Sequence, residues 1–174
     1  MRDLQVEFGD AFERWSDELF RHALMRLSDR DKALEVTQEC FLRTMQYARS
    51  GKVIEQLRPF LYRTLRHLII DEYRRTKAVS LEAMTESEDG PTLDTVLPPD
   101  ESNTLESAME RFDAARAAGL LTTLPEPYRE ALTLRYIDGM SVPEVAAIVG
   151  VSENVVSVRV HRGLKKLKDL LEHE

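Results

Sequence analysis

The sequence predicts an all-α protein in which two small helical domains are joined by an acidic, flexible linker. Three observations support this prediction. Apolar residues recur at helical spacing in both halves of the chain, acidic residues gather in its middle with Gly and Pro, and its C-terminal part has the pattern of a helix-turn-helix. We place the domains at residues 1–78 and 105–174 and the linker at residues 79–104, since 174 residues suffice for two such domains.

The first helix of the N-terminal domain is predicted from an apolar stripe. Its members recur three or four residues apart and are Phe8, Phe12, Trp15, Leu19, Ala23 and Leu27. Ser28 and Asp29 then interrupt the pattern, and both side chains are suited to cap the helix that follows.

A second helix is predicted over residues 32–48. Its apolar side would contain Leu34, Thr37, Phe41, Thr44, Met45 and Ala48, with Cys40 at the edge. Another side gathers Glu35, Gln38, Glu39 and Leu42. Such a side is either a docking surface for a protein or a solvated surface with one stray leucine, and the pattern by itself favours the second interpretation.

The third predicted helix, over residues 58–77, has a basic side. Its inner side would hold Leu61, Leu65, Leu68 and Ile69. A sector of roughly 100° on the other side holds Arg63, Arg66, His67 and Arg74, and the end of the helix adds Arg75 and Lys77. Such a stripe suits a phosphate backbone. Compensation of the helix dipole is the alternative, and it accounts for the C-terminal cations but not for Arg63 and Arg66.

The negative charge of the chain is concentrated in the predicted linker region. The net charge is −7, but residues 81–110 contain nine acidic residues and no Lys or Arg. Without those nine charges the remainder of the chain carries +2. Weak DNA binding by the free chain is therefore expected, because phosphate neutralisation supplies most of the affinity.

Residues 141–171 have the pattern of a helix-turn-helix that continues into a basic helix. Ser141 and Glu144 form a capping-box pair, and Pro143 lies in the first turn, where its missing N–H is tolerated. Gly150 marks the turn, and Ser152 is placed to cap the second helix. A motif of this kind puts its second helix in the major groove of DNA.

The second helix of this motif has an inner and an outer side. The inner stripe would be Val156, Val160, Leu164, Leu167 and Leu171. The outer side would be Asn154, Val155, Val158, His161, Arg162 and Lys165, flanked by Arg159 and Lys166. Exposed valines can contact thymine methyl groups, and arginines can read guanine or hold phosphates. A merely solvated charged surface is the alternative.

Other classes of function find little support. The four histidines, His22, His67, His161 and His173, have no metal-ligand spacing with one another or with Cys40, and no phosphate loop or nucleophile motif occurs. We therefore expect no enzyme and no metal or cofactor. The absence of a membrane-spanning apolar run, of a signal peptide and of a second cysteine fits a cytoplasmic protein. Cys40 is expected to be a small buried residue rather than a redox switch.

Three strings together resemble the extracytoplasmic-function (ECF) sigma factors of the sigma-70 family. DKALEVTQECFLRTM resembles the Asp/Glu-x-x-Gln-Glu-x-Phe helix of that family, and LRPFLYRTLRHLIIDEYRR resembles the helix that follows it. LPEPYREALTLRYIDGMSVPEVAAIVGVSENVVSVRVHRGLKKL resembles the C-terminal helix-turn-helix domain. The resemblance covers residues from about 8 to 171, apart from the linker.

This resemblance implies a non-enzymatic subunit that binds core RNA polymerase, recognises the −35 and −10 promoter elements and opens the DNA. Docking to the clamp coiled coil of the β′ subunit would fall on Glu35, Gln38, Glu39, Phe41 and Leu42, which reverses the interpretation that the pattern alone favours. Contacts with the −10 element would fall on Lys52, Arg63, Arg66, His67, Arg74 and Arg75, with the loop at residues 50–57 holding a flipped base. Contacts with the −35 element would fall on Glu153, Asn154, Val155, Ser157, Val158, Arg159 and Arg162.

The resemblance also implies contact with the polymerase β subunit and control by an anti-sigma protein. Some positions depart from the family pattern. His67 stands where Asn is common, Asn154 and Val155 stand where Gly-Thr is common, and Gly163 stands where a small Ala is common. Close approach to a neighbour or to DNA would explain Gly163.

Two other functions remain open at this point. An independent, dimeric helix-turn-helix regulator would bind specific DNA without polymerase and would leave the docking residues unused. A sigma mimic that titrates anti-sigma proteins would lack intact basic recognition surfaces, whereas Arg63, Arg66, Arg159 and Arg162 are all present.

Overall fold

In the computed structural model, the described residues 4–80 and 119–172 contain helices as their only regular structure. Side chains are described for residues 6–77 and 119–172. The chain divides into two compact units. We call them the N-terminal and the C-terminal unit and describe each by itself. The predicted linker beyond residue 80 and residues 105–118 of the predicted second domain lie outside the described residues.

The N-terminal unit consists of three helices, α1 (Leu4–Leu27), α2 (Arg30–Arg49) and α3 (Leu57–Ser80). Only Ser28 and Asp29 separate α1 from α2. Ser28 has a left-handed backbone (φ 54°), and the Asp29 side chain accepts a hydrogen bond from the Lys32 N–H at 3.1 Å. This tight turn confirms the predicted cap and makes α1 and α2 a helical hairpin.

The core of the N-terminal unit is the apolar interior of these three helices. The inner side of α3 is as predicted, since Leu61, Leu65, Leu68 and Ile69 are all buried. From α1 and α2, the buried positions include Phe8, Ala11, Leu19, Ala23, Ala33, Val36, Cys40 and Phe41. Thr37 and Thr44 are also buried, and their hydroxyls donate to the carbonyls of Ala33 and Cys40 at 2.7 and 2.8 Å. Backbone acceptors one turn earlier therefore satisfy the polar atoms on this inner side.

Two residues predicted in the core are exposed. The exposed fraction is 47% for Phe12 and 50% for Leu34. Both line an open groove between α1 and α2, and the ring of Phe12 meets Phe41 edge-on at 5.0 Å. Cys40, predicted at the edge of the stripe, is fully buried. The buried side of α2 is thus rotated away from Leu34 and towards Cys40, a shift that periodicity alone does not resolve.

Polar side chains join the helices of the N-terminal unit as well. Arg58 of α3 donates to Glu18 of α1 at 2.7 Å. The hydroxyl of Tyr73 donates to the carbonyl of Arg26 at 2.6 Å, and its ring lies under the buried Arg26 guanidinium at 5.7 Å. The burial of His22, Arg26 and Glu72 was not predicted, because long polar side chains are usually exposed.

Among its described residues, the C-terminal unit contains α4 (Glu126–Leu132), most of α5 (Val142–Val149) and α6 (Glu153–Glu172). Residues 119–121 are also helical, and a π-helical segment, Thr133–Ile137, follows α4 directly. Within the part of the chain that the structure describes, no helix is long and apolar enough to cross a membrane.

The predicted helix-turn-helix is confirmed in its local hydrogen bonds. Ser141 donates its N–H to the Glu144 carboxylate at 2.7 Å, and Glu144 returns its N–H to the Ser141 hydroxyl at 3.3 Å. Gly150 ends α5 with φ 78°, and the N–H of Val151 donates to the Ala146 carbonyl at 3.2 Å. These bonds form a capping box and a Schellman-type end, so both ends of α5 are fixed by the local sequence.

Helices α4 and α6 approach each other closely at Gly163. A β-carbon at this position would lie 3.0 Å from Leu132 Cδ1 and 3.2 Å from Tyr128 Cβ. Glycine therefore lets the two helices approach. Of the two explanations given for this departure from the family pattern, a neighbour or DNA, the neighbour is present within the chain. On the same side of α6, Val156, Leu164 and Leu167 are buried as predicted, and Val160 and Leu171 are half-buried.

Gly163→Ala is expected to destabilise the C-terminal unit. Overpacking against Leu132 and Tyr128 costs about 1–3 kcal/mol, whereas the higher helix propensity of Ala returns only about 0.5–1 kcal/mol. Urea unfolding followed by far-UV circular dichroism measures the difference. The matched control is Gly9→Ala in α1, where a β-carbon meets no atom within 4 Å, so this change should be stabilising. Equal stabilisation by both substitutions would show that α4 and α6 can separate without loss.

Burial raises the pKa of Cys40 to about 12, and its thiol donates to the Leu61 carbonyl at 3.2 Å. Because the folded pKa exceeds the ordinary value of 9.0, the stabilisation from the neutral thiol is complete below pH 9 and falls as the pH rises towards 12. The loss is about 1.4 kcal/mol per pH unit within this window. We therefore expect the difference in free energy of unfolding between wild type and Cys40→Ser to change only above pH 9. Rapid reaction of the native protein with a thiol reagent at pH 8 would contradict this burial.

Candidate protein and nucleic-acid interfaces

The outer side of α2 presents four of the five predicted docking residues. Glu35, Gln38 and Leu42 are exposed, with an exposed fraction of 54% for Leu42, and Glu39 is half-buried. Arg43 donates to the Glu39 carboxylate at 2.6 Å and holds it in place. These residues form an acidic and amide surface around one exposed leucine, which we call the α2 surface.

Phe41, the fifth predicted docking residue, does not belong to the α2 surface. Its exposed fraction is 6%, and its ring packs edge-on against Phe12. The side chain therefore supports the hairpin from inside. Its position is about 60° away from Gln38 around the helix axis by the geometry of about 100° per residue, on the side that meets α1.

Beside the α2 surface lies the groove between α1 and α2, with a volume of about 380 Å³. Phe12 and Leu34 supply exposed apolar area, and Gln38 belongs to both the groove and the α2 surface. Asp17 and Asp31 line it with negative charge, and Arg30 lies over the Phe20 ring at 5.5 Å. Sequence reasoning missed this groove, because helical periodicity assigned both apolar residues to the core.

The end of α2, the loop that follows it and the start of α3 together bring aromatic and cationic side chains into contact. Tyr47 and Phe60 have ring centroids 4.8 Å apart, with Lys52 Nζ 4.7 Å from the Tyr47 ring and the Arg63 guanidinium 5.7 Å from the Phe60 ring. Gly51 turns the loop with φ 82°, and Val53 is 84% exposed. The structure thus brings Lys52 and Arg63 to the two ends of one aromatic pair, an arrangement that the sequence did not indicate.

The basic side of α3 is at the surface. Arg63, His67, Arg74 and Arg75 are exposed, and Arg66 is half-buried. Arg74 lies 3.9 Å from the Asp71 carboxylate, and Arg75 lies 3.3 Å from that of Glu72. The two C-terminal arginines of the predicted basic stripe are therefore each paired with an acidic residue of their own helix, which the sequence analysis did not anticipate.

The predicted recognition residues lie along the first half of α6. Glu153, Asn154 and Ser157 are exposed, whereas Val155, Val158, Arg159 and Arg162 are half-buried. Ser152 accepts a hydrogen bond from the Val155 N–H at 3.3 Å, as predicted for the cap. The Ser157 hydroxyl donates to the Glu153 carbonyl at 3.0 Å. The two valines are thus less exposed than expected, but their side chains still reach the surface.

The described residues were also searched for metal-binding clusters and for further grooves. Within residues 6–77 and 119–172, no three His, Cys, Asp or Glu side chains are grouped closely enough to hold a metal ion. A further groove, with a volume of about 400 Å³, lies between residues 123–125 and the end of α6. Lys166, Asp169 and Leu170 line it on the α6 side.

Family models match both units of the chain. The model of Sigma-70 region 2 matches residues 11–79, which contain α2 and most of α1 and α3. The model of Sigma-70 region 4 matches residues 115–167, which contain the helix-turn-helix. Together the two matched segments include every candidate site residue described above.

Individual relatives agree with the family models. The ECF RNA polymerase sigma factor SigW of Bacillus subtilis is 27% identical over 180 residues, covering 96% of this chain and 90% of SigW. SigL of Mycobacterium tuberculosis, another ECF sigma factor, is 30% identical over 151 residues, covering 86% of this chain and 80% of SigL. Two further relatives are longer, and the chain covers 58% and 60% of their lengths.

A solved structure shows the same fold. CnrH, in complex with the cytosolic domain of CnrY, superposes with a TM-score of 0.69 at 25% identity, covering 98% of this chain and 90% of CnrH. The helical fold, the two family models and the relatives all indicate the same family. The chain belongs to the ECF family of RNA polymerase sigma factors.

Proposed function

We propose that the chain is an alternative sigma factor that binds core RNA polymerase through α2 and directs transcription from specific promoters through α3 and α6. The observation that carries the proposal is the α2 surface beside the groove. An exposed leucine, two exposed apolar groove residues and a ring of carboxylates suit a partner helix with apolar and basic residues. The clamp coiled coil of the β′ subunit is the proposed partner, and the β subunit is a second contact.

Recognition of the −10 element is assigned to the loop after α2 and to the basic side of α3. Melting requires that unpaired bases and a single-stranded backbone be held by the protein. Aromatic rings supply stacking, and cations supply phosphate contacts. Lys52 and Arg63, at the ends of the Tyr47–Phe60 pair, combine both chemistries next to the exposed loop. Arg66, His67, Arg74 and Arg75 would extend the contact along the backbone.

Recognition of the −35 element is assigned to the first half of α6. The second helix of a helix-turn-helix lies in the major groove with its N-terminal residues against the base edges. In α6 these residues reach the surface. Asn154 is suited to adenine, Arg159 and Arg162 to guanine or phosphate, and Val155 and Val158 to thymine methyl groups. Glu153 and Ser157 complete the proposed contact set.

Regulation by an anti-sigma protein in the cytoplasm is part of the proposal. CnrH is bound by the cytosolic domain of CnrY, and the exposed α2 surface and α6 are surfaces that such a partner would cover. The chain would act by binding alone, without covalent chemistry. The alternative regulator without polymerase would leave the α2 surface without a role, and a sigma mimic would not need the basic residues of α3 and α6.

The overall test is transcription by purified core polymerase on fragmented genomic DNA, with and without this chain. New start sites that share upstream motifs at two fixed positions are expected, and folded chain with active core that yields no new starts would contradict the proposal. In a direct binding assay with purified core polymerase, Gln38→Ala combined with Leu42→Ala should lower core affinity by about tenfold or more, since two hot-spot truncations each exceed about 1 kcal/mol. Leu170→Ala, which truncates an exposed helical leucine of the C-terminal unit, is the matched control.

Arg159→Ala is expected to weaken binding to the promoter by about 1–3 kcal/mol if the guanidinium reads a base. The loss should concentrate on −35 sequences with the preferred base, and other sequences should change little. Affinity of the holoenzyme for a panel of −35 variants measures this. An equal loss on every sequence would identify a phosphate contact instead.

Arg63→Ala combined with Arg66→Ala is expected to impair promoter opening more than formation of the closed complex, because single-stranded backbone is present only after opening. Permanganate reactivity of −10 thymines measures opening, and filter binding measures the closed complex. Unchanged permanganate reactivity would remove these residues from the −10 assignment.

A further inference from the structure

Two acidic residues lie inside the basic surface of α3, each one turn before an arginine. Asp71 Oδ1 is 3.9 Å from Arg74 NH1, and Glu72 Oε2 is 3.3 Å from Arg75 NH1. Both arginine side chains are more than two-thirds exposed, at 79% and 71%, so they are accessible to a ligand as well as to their acidic neighbours. Two of the residues that we assign to the DNA backbone, Arg74 and Arg75, are therefore already paired in the free chain.

Glu72 differs from an ordinary surface carboxylate because it is held from two sides. Its side chain is only 11% exposed, and its Oε1 lies 2.8 Å from Lys32 Nζ at the start of α2. The hydrogen bond to Glu72 raises the pKa of Lys32, so Lys32 stays charged and keeps the carboxylate in place. The carboxylate thus bridges α2 and α3 and presents its second oxygen to Arg75. Asp71, by contrast, is exposed.

We propose that Asp71 and Glu72 compete with DNA phosphates for Arg74 and Arg75, and so lower the affinity of the free chain for DNA. The inference rests on the proposed role of α3 as a DNA-binding surface. A phosphate that approaches either arginine must displace a carboxylate or share the guanidinium with it. The two acids thereby act as specificity-determining residues, since they oppose a contact that carries no sequence information.

The size of the effect follows from the exposure of the pairs. Exposed ion pairs are worth a fraction of a kcal/mol to about 1 kcal/mol, which corresponds to a change of up to about fivefold in affinity. Removal of one carboxylate should therefore tighten DNA binding about two- to fivefold. The salt dependence should also become steeper, because each cation that fully engages a phosphate releases a counterion from the single strand.

The test uses the full chain and a short, fluorescein-labelled oligothymidylate, with fluorescence anisotropy read at several NaCl concentrations. Asp71→Asn and Glu72→Gln are the test variants. Asp10→Asn and Glu13→Gln in α1 remove the same charges from exposed positions outside the DNA surface and are the controls. Because Glu72 also pairs with Lys32, the helix content of Glu72→Gln is checked by circular dichroism. If Glu72→Gln unfolds, Asp71→Asn still tests the proposal.

A double-mutant cycle separates local competition from a general effect of charge. Asp71→Asn is repeated in the Arg74→Ala background, and Glu72→Gln in the Arg75→Ala background. The proposal expects tightening in the wild-type background, none for the controls, and loss of the tightening where the arginine is absent. Unchanged affinity in both test variants overturns it, as does tightening that persists without the arginine.

The same measurements distinguish failure of this inference from failure of the proposed function. If Arg74→Ala and Arg75→Ala do not weaken binding, these arginines do not hold DNA, and both the −10 assignment of these two residues and the competition are wrong. If they weaken binding while the acid variants leave it unchanged, only the competition is wrong.

Discussion

The burial of one side of α2 is the constraint on which the rest of the N-terminal unit depends. Ala33, Thr37, Cys40 and Thr44 are fully or almost fully buried, and the Cys40 thiol reaches the backbone of α3 at Leu61. In a helix with about 100° per residue, this choice fixes the direction of every other side chain. Gln38 and Leu42 must face outward once Cys40 faces α3. The proposed docking surface thus follows from the interior packing rather than from any contact of its own.

The same constraint explains which features can be predicted from the sequence. Helix caps and turns can be predicted, because each depends on a few neighbouring residues. The Ser141–Glu144 box, the Ser152 and Asp29 caps and the turn at Gly150 all follow from residue types and their spacing. The existence of each apolar stripe is predictable as well. Its centre is not. Leu34 and Cys40 lie about 120° apart around α2, and the positions of α1 and α3 decide which of these two directions is buried.

For the candidate site, the sequence likewise predicts which helices carry the interfaces but not where each side chain lies. The resemblance placed the interfaces on α2, α3 and α6, and those helices present most of the named side chains at the surface. It did not distinguish Phe41, which is buried beside Phe12, from Gln38, which is exposed. Nor did it reveal the Tyr47–Phe60 pair or the acidic partners of Arg74 and Arg75. Both features depend on distances between side chains in the folded chain. A sequence pattern gives only the order of the residues along the chain.

The connection between α1 and α2 has a consequence for how this interface can change. Because only Ser28 and Asp29 join the two helices, both walls of the groove come from one uninterrupted stretch, residues 12–38. Most binding surfaces combine distant parts of a sequence, so a new partner requires coordinated changes in several places. Here, a short exchange within a single hairpin can alter the shape and charge of the groove. Such an exchange leaves α3 and the helix-turn-helix unchanged. With the surfaces assigned as we propose, choice of partner and choice of promoter can therefore diverge independently.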